Sequence, residues 1–195
     1  MPIDTRCADC FLKFYQALSN KEQKQSQIFF YNPNIYPREE FNARLQAVKK
    51  VVKSLDNNIE IFVENYLPQD YFHALAKNEQ IKKIRENNQD QQLFTVIAKK
   101  LRCSVCWNLR LRALFETAKQ ANISLVSSTL FSSNYQDLIQ IRKIAERLSK
   151  EFQIDFYFPK LNKLDRDRVN KGFYKQNYCG CLYSLIEKSR EKYQI

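Results

Sequence analysis

Apolar positions fall along this chain in short runs that alternate with stretches of helical period. Phe11, Phe14, Tyr15 and Leu18 recur at helical spacing and open the pattern. Ile28, Phe29, Phe30 and Tyr31 form an apolar run ended by the turn formers Asn32, Pro33 and Asn34, which reads as a strand entering a loop. Phe41, Leu45, Val48, Val52 and Leu55 then repeat every three or four residues, the stripe of an amphipathic helix. The pattern goes on to predict a strand over 59–63, a helix over 69–85 and a polar surface loop over 87–92. Leu111, Leu114, Phe115 and Ala118 mark another helix, 124–127 a strand, Leu138 to Leu148 a helix, and 154–158 a last strand.

Strands alternating with helices give an α/β domain with a mainly parallel sheet and right-handed crossovers. The 195 residues are enough for one domain with a sizeable core, and no internal repeat or linker divides them, so 1–195 is read as a single unit. With two glycines in the chain, neither a G-x-G-x-x-G turn nor a P-loop is available, which disfavours dinucleotide and P-loop nucleotide binding. No apolar stretch reaches the length of about 18 residues that a membrane helix needs. The first residues carry no apolar run of the export type, so the expected setting is a reducing one, the cytoplasm.

Chemistry enters with six cysteines in three close pairs: Cys7-x-x-Cys10, Cys103-x-x-Cys106 and Cys179-Gly180-Cys181. Both C-x-x-C pairs lead into apolar stripes, so each is expected at a helix N-terminus, where the dipole and free N–H groups favour thiolates. In a parallel sheet those ends lie by the carboxyl edge, so distant pairs can meet there. Four thiolates suit tetrahedral zinc or an iron–sulfur cluster, and spacing does not choose between them. The third pair is superfluous for a structural zinc and can cycle between dithiol and disulfide, unless its thiols are simply core. The net charge of +11 is spread along the chain and attracts polyanions, of which nucleic acid is the commonest.

On these motifs the chain resembles the QueH family of epoxyqueuosine reductases. The segment from Phe29 to Pro37 resembles the family's F-Y-N-P-N-I-x-P, and Arg102 to Leu111 its R-C-x-x-C-[FYW]-x-L-R-L signature. Ser127 to Leu130 with Ser132, Ser133 and Tyr135 resembles T-T-L-x-x-S, and Tyr174 to Leu185 is similar to the terminal motif almost letter for letter. The N-terminus departs: where the family has a strand ending H-x-C-C-x-P-[CD], this chain has Asp4-Thr5-Arg6-Cys7-Ala8-Asp9-Cys10. The strand itself is cut to Met1-Pro2-Ile3, so it is expected to be short or missing.

The resemblance implies a Rossmann-like fold of the HUP type. It implies removal of the epoxide oxygen of epoxyqueuosine at the wobble position of a tRNA anticodon, with electrons from an unidentified donor. It further implies a 4Fe-4S cluster, with room for an additional iron; an iron there is expected to act as Lewis acid on the epoxide oxygen. Cys7, Cys103 and Cys106 match the family's cluster ligands, Cys10 would restore a fourth, and Cys179 with Cys181 match its redox pair. For that substrate, Tyr31, Asn32 and Asn34 form a pocket loop at a strand's carboxyl end, and Tyr178, Tyr174, Trp107 or Tyr135 offers a stacking platform. Arg110 and Arg112 are candidates for backbone phosphate, against a solvated helix face. Asp4 and Asp9 are read as exposed capping carboxylates sooner than as proton donors or iron ligands. His73, the single histidine, is read as structural. Two rivals stand beside the reductase. One is a divergent or inactive paralogue serving as a zinc-stabilised RNA-binding module. The other is a thiol–disulfide oxidoreductase of proteins, which leaves the two C-x-x-C pairs and the charge unexplained.

Overall fold

The computed structural model describes residues 1–55, 58–87, 99–133, 136–159, 172–174 and 176–193. Five strands form one sheet: β1 (Pro2–Asp4), β2 (Gln27–Phe30), β3 (Ile61–Val63), β4 (Leu125–Ser128) and β5 (Asp155–Phe156). Every pairing is parallel and the order is β3-β2-β1-β4-β5. The first strand is short, as expected, yet it is the centre of the sheet. Three residues suffice because Ile3 and Asp4 are held from both sides, opposite Ile28 and Phe29 on β2 and Ser127 and Ser128 on β4.

Strands covered on both faces read as unbroken apolar runs, and β2 shows why. Ile28 and Phe30 join Ile3 in a core with helices α1 (Ala8–Gln16) and α3 (Arg38–Leu55), through Phe11, Phe14, Phe41, Val48 and Val51. Phe29 points the other way. With Val126 it packs on α6 (Lys99–Gln120) and α7 (Leu138–Phe152), against Leu111, Leu114, Phe115, Ile141 and Leu148. Each such side chain contributes roughly 1.5–3 kcal/mol on burial. The remaining helices are α2 (Asn20–Lys24), α4 (Pro68–Lys77), α5 (Glu79–Asn87) and α8 (Leu182–Tyr193), with a 3-10 turn at Thr129–Ser132.

Three expectations change. The helix over 69–85 is two helices, because Asn78 turns extended (ψ 121°) and its Oδ1 accepts the Ile81 N–H at 3.1 Å, capping α5. Cys103 and Cys106 lie inside α6, in its second turn as described, not ahead of it. The last strand covers 155–156 only. The loop residues 88–92, Tyr135, Arg166, Arg168 and Lys171 lie outside the described residues. No described helix is long and apolar enough to cross a membrane.

Candidate active site

Strand order reverses between β1 and β4, and at such a switch point the carboxyl ends of the two strands open a crevice. A buried polar frame lines it. Arg110 donates to Asp4 Oδ1 at 2.6 Å and Ser128 Oγ donates to Asp4 Oδ2 at 2.6 Å, with Asp4 and Arg110 both fully buried. Thr129 Oγ1 donates to the Asp4 carbonyl at 3.1 Å, and Asn32 Nδ2 donates to the Thr5 carbonyl at 2.9 Å. The end of β1 is thus pinned from β4, β2 and α6. This corrects two readings: Asp4 is no exposed cap, and Arg110 is neither a phosphate contact nor a solvated residue. Cys103, Cys106 and Arg110 fall at i, i+3 and i+7 on one stripe of α6, which is why Arg110 follows the cysteines inward. Arg112 faces α7 instead and forks onto Glu151 at 2.7 and 2.9 Å, about 14 Å further along the helix axis than Cys103.

The three cysteine pairs meet at this crevice. Cys7 caps α1, its sulfur accepting the Cys10 N–H at 3.4 Å. Cys181 does the same for α8, accepting the Ser184 N–H at 3.4 Å, while its carbonyl takes the Leu185 N–H. Cys106 and Cys181 share one buried cluster with Tyr71, Leu75, Ile81 and Tyr183, so α4, α5, α6 and α8 close over them together. Arg102 on α6 reinforces this by pairing with Glu187 on α8. Arg6 completes the centre: its Nη1 donates to Cys179 Sγ at 3.1 Å. Burial opposes the charge on Arg6, yet Cys179, Cys7, Cys10 and Cys106 around it outweigh that and raise its pKa.

These surroundings separate the thiols. The hydrogen bond from Cys10, helped by Arg6 and Arg44 against burial, brings Cys7 down to about 6 and leaves Cys10 high. The hydrogen bond from Cys181 holds Cys179 well below the usual thiol range, with Arg6, Arg44 and Arg110 adding to it, and pushes Cys181 up. Burial raises Cys103 to about 11 and Cys106 to about 12, and the charge of Cys179 adds to both. Among the described residues, no three His, Cys, Asp or Glu side chains stand close enough to share one ion.

Arg44 holds the C-G-C segment. Fully buried on α3 and paired with Glu40 at 2.7 Å, it donates to the Cys179 and Tyr178 carbonyls, each at 3.1 Å. Its guanidinium lies 5.6 Å from the Tyr178 ring centroid. Gly180 has φ +112°, and a Cβ there would stand 3.0 Å from Arg44 Nη1, so glycine answers both backbone shape and close approach. From the other side Tyr36 N–H donates to the Gly180 carbonyl at 2.7 Å, and Tyr178 O–H donates to the Tyr36 carbonyl. The pocket loop after β2 therefore lies against the C-G-C pair. Within it Asn34 is buried with both amide atoms unpartnered, as is Asn32 Oδ1, and Tyr31 O–H donates to Asp70 on α4 at 3.0 Å. Burial and then Asp70 raise the Tyr31 pKa.

Trp107 is buried and donates to Gln136, Tyr174 bonds Glu40 from the surface, and His73 is exposed on α4. Arg44 and Arg6 escaped the sequence reading as working residues. A signal for the first exists: Arg44 interrupts the apolar stripe Phe41, Val48, Val51 where only a side chain with buried partners fits.

The architecture and its centre define a doubly wound, Rossmann-like α/β protein that gathers thiols and arginines at its topological switch point. The family described as epoxyqueuosine reductase QueH matches residues 3–187, and the chain belongs to that family. It is 29% identical over 176 residues to the epoxyqueuosine reductase QueH of Thermotoga maritima, covering 87% of this chain and 84% of that protein. The QueH of Dehalococcoides mccartyi is 30% identical over 166 residues, covering 83% and 79%. That of Acinetobacter baylyi is 27% identical over 197 residues, covering 94% and 79%.

Proposed function

We propose that this chain is an epoxyqueuosine reductase, an oxidoreductase that acts in tRNA modification. The observation that carries the reading is the family match over residues 3–187, nearly the whole chain, with the three cysteine pairs converging on its one switch-point crevice. The zinc-stabilised binding module gains no support from it. Removing an epoxide oxygen to leave an alkene takes two electrons and two protons and releases water. Oxidation of the Cys179 thiolate and the Cys181 thiol to a disulfide supplies both electrons and one proton, solvent supplies the second proton, and an external electron donor reopens the disulfide for the next turnover.

Cys7, Cys10, Cys103 and Cys106 would hold the 4Fe-4S cluster. Two C-x-x-C pairs around one buried cation would offer the four thiolates that such a group takes. Such a cluster supplies one-electron transfer, and an added iron supplies a Lewis acid for the epoxide oxygen. The chain's own residues do the rest. Asn32 and Asn34 offer buried amide atoms to the polar groups of the modified base, since an unpartnered buried polar atom costs about 1–3 kcal/mol until a ligand meets it. Tyr31 and Tyr178 flank that loop, and Tyr178 presents a ring for stacking. The net charge of +11 draws the tRNA in, while Arg110 and Arg112 are committed to Asp4 and Glu151.

Anaerobic reconstitution with iron and sulfide, followed by incubation with epoxyqueuosine-containing tRNA and a reductant, tests the reading. The expected result is brown protein that converts the wobble nucleoside to queuosine. Brown protein with no conversion refutes the activity, and colourless protein that still converts it refutes the cluster.

A further inference from the structure

We infer that Tyr36 is a stacking platform for a nucleotide flanking the modified base, and that Arg38 beside it takes a backbone phosphate of the same single strand. The inference rests on the proposed reading that the crevice receives a tRNA anticodon. At this turn of the pocket loop every backbone polar group is held while the ring is left out. The Ile35 N–H donates to the Asn32 carbonyl at 3.2 Å, and the Ile35 carbonyl accepts from Tyr66 O–H at 2.8 Å. The Tyr36 N–H donates to the Gly180 carbonyl at 2.7 Å, and the Tyr36 carbonyl accepts from Tyr178 O–H. Tyr36 is nonetheless 43% exposed, and among the described residues no hydrogen bond or ring contact engages its side chain. A ring anchored through its backbone and left in water is available to a base, since every base has a face to stack.

Its surroundings separate Tyr36 from an ordinary surface tyrosine. Its bond to Gly180 sets it against the C-G-C segment, at the mouth of the crevice. Earlier in the same loop, Asn32 Oδ1 and both amide atoms of Asn34 are buried without partners, which calls for a polar ligand at this place. Two residues later Arg38 is exposed, its guanidinium 4.8 Å from the Tyr66 ring centroid. Among the described residues no carboxylate pairs with it, Glu39 and Glu40 included. Arg44, Arg102, Arg110 and Arg112 are by contrast committed to Glu40, Glu187, Asp4 and Glu151. The other rings nearby are less free: Tyr178 is half-buried with Arg44 over it, and Tyr174 is bonded to Glu40. An open ring next to an unpaired cation is how single-stranded loops are recognised, with unstacked bases on aromatic side chains and cations along the backbone.

The test is anaerobic binding of a labelled anticodon stem-loop RNA, with guanosine at the wobble position, to the reconstituted full-length protein. A fully paired RNA of the same length is the comparison. The wild type is expected to bind the stem-loop more tightly than the duplex. Tyr36→Ala weakens stem-loop binding about tenfold, while its affinity for the duplex and its unfolding midpoint stay as in the wild type. Tyr36→Phe and Tyr36→Trp keep the ring and with it the stem-loop affinity. Arg38→Gln lowers the slope of log affinity against log salt by about 0.7, the share of one single-strand phosphate. Equal wild-type affinity for the two RNAs overturns the inference, and needs no variant to fold. So does Tyr36→Ala binding the stem-loop like the wild type or losing both RNAs alike, Tyr36→Phe failing with it, or an unchanged slope in Arg38→Gln. Binding is read without turnover. Stem-loop binding that depends on Tyr36, in a protein that converts no epoxyqueuosine, refutes the reductase and keeps the platform; conversion with binding indifferent to Tyr36 refutes the platform alone.

Discussion

Gly180 shows how much of this site rests on single atoms. Its φ of +112° is one that L side chains rarely adopt, and its missing Cβ is the space that the Arg44 guanidinium occupies. Gly180→Ala is expected to lower stability by about 1–3 kcal/mol through backbone strain, and to displace the sulfurs on either side. Chemical denaturation checks the first, and loss of tRNA conversion without loss of cofactor colour checks the second. An alanine variant with unchanged midpoint and activity would show that the close approach is immaterial. The same scale explains what the sequence alone concealed. Arg110 follows Cys106 by four residues and reads equally well as a surface cation. Its burial depends on Asp4, a partner 106 positions away that no local pattern announces. Arg6 reads as a departure from the family pattern, and its sulfur partner lies 173 positions off.

At the scale of elements, local pattern carried well wherever burial follows a period. The stripe from Phe41 to Leu55 became α3, the run around Ile28 became β2, and Leu138 to Leu148 became most of α7. The predicted helix over 69–85 failed at Asn78, because an apolar stripe can continue across a break when the two helices pack on the same neighbours. Tyr71 and Leu75 before the break and Ile81 after it bury in one cluster. Asn78→Ala removes the cap of α5 and is expected to cost about 1 kcal/mol, read as a lower midpoint in urea; an unchanged midpoint would mean the cap contributes nothing. Helix α8 leaves a weak signal in the sequence: Leu182, Leu185 and Ile186 lie at helical spacing, but Tyr183 is the one buried residue of the helix. Its start at Cys181 ties fold to the proposed function: the residue that caps the helix is also one half of the proposed redox pair.

For the whole molecule, the parallel order β3-β2-β1-β4-β5 turns three cysteine pairs from distant parts of the chain into one centre. Periodicity indicated the parallel sheet, but strand order is a long-range property, and the crevice follows from the order. Around that crevice stand fixed cations, separated thiols and a loop with buried, unmatched amides, and the chain carries an overall positive charge suited to RNA. The central claim is that this centre reduces epoxyqueuosine in tRNA through the Cys179 and Cys181 pair. Multiple-turnover conversion of epoxyqueuosine-containing tRNA by the anaerobically reconstituted wild type and by Cys179→Ser, measured side by side, tests it most directly. The account predicts queuosine from the wild type, and a variant that keeps the cluster's visible absorbance but no longer turns over. Sustained turnover by Cys179→Ser at the wild-type rate would contradict it.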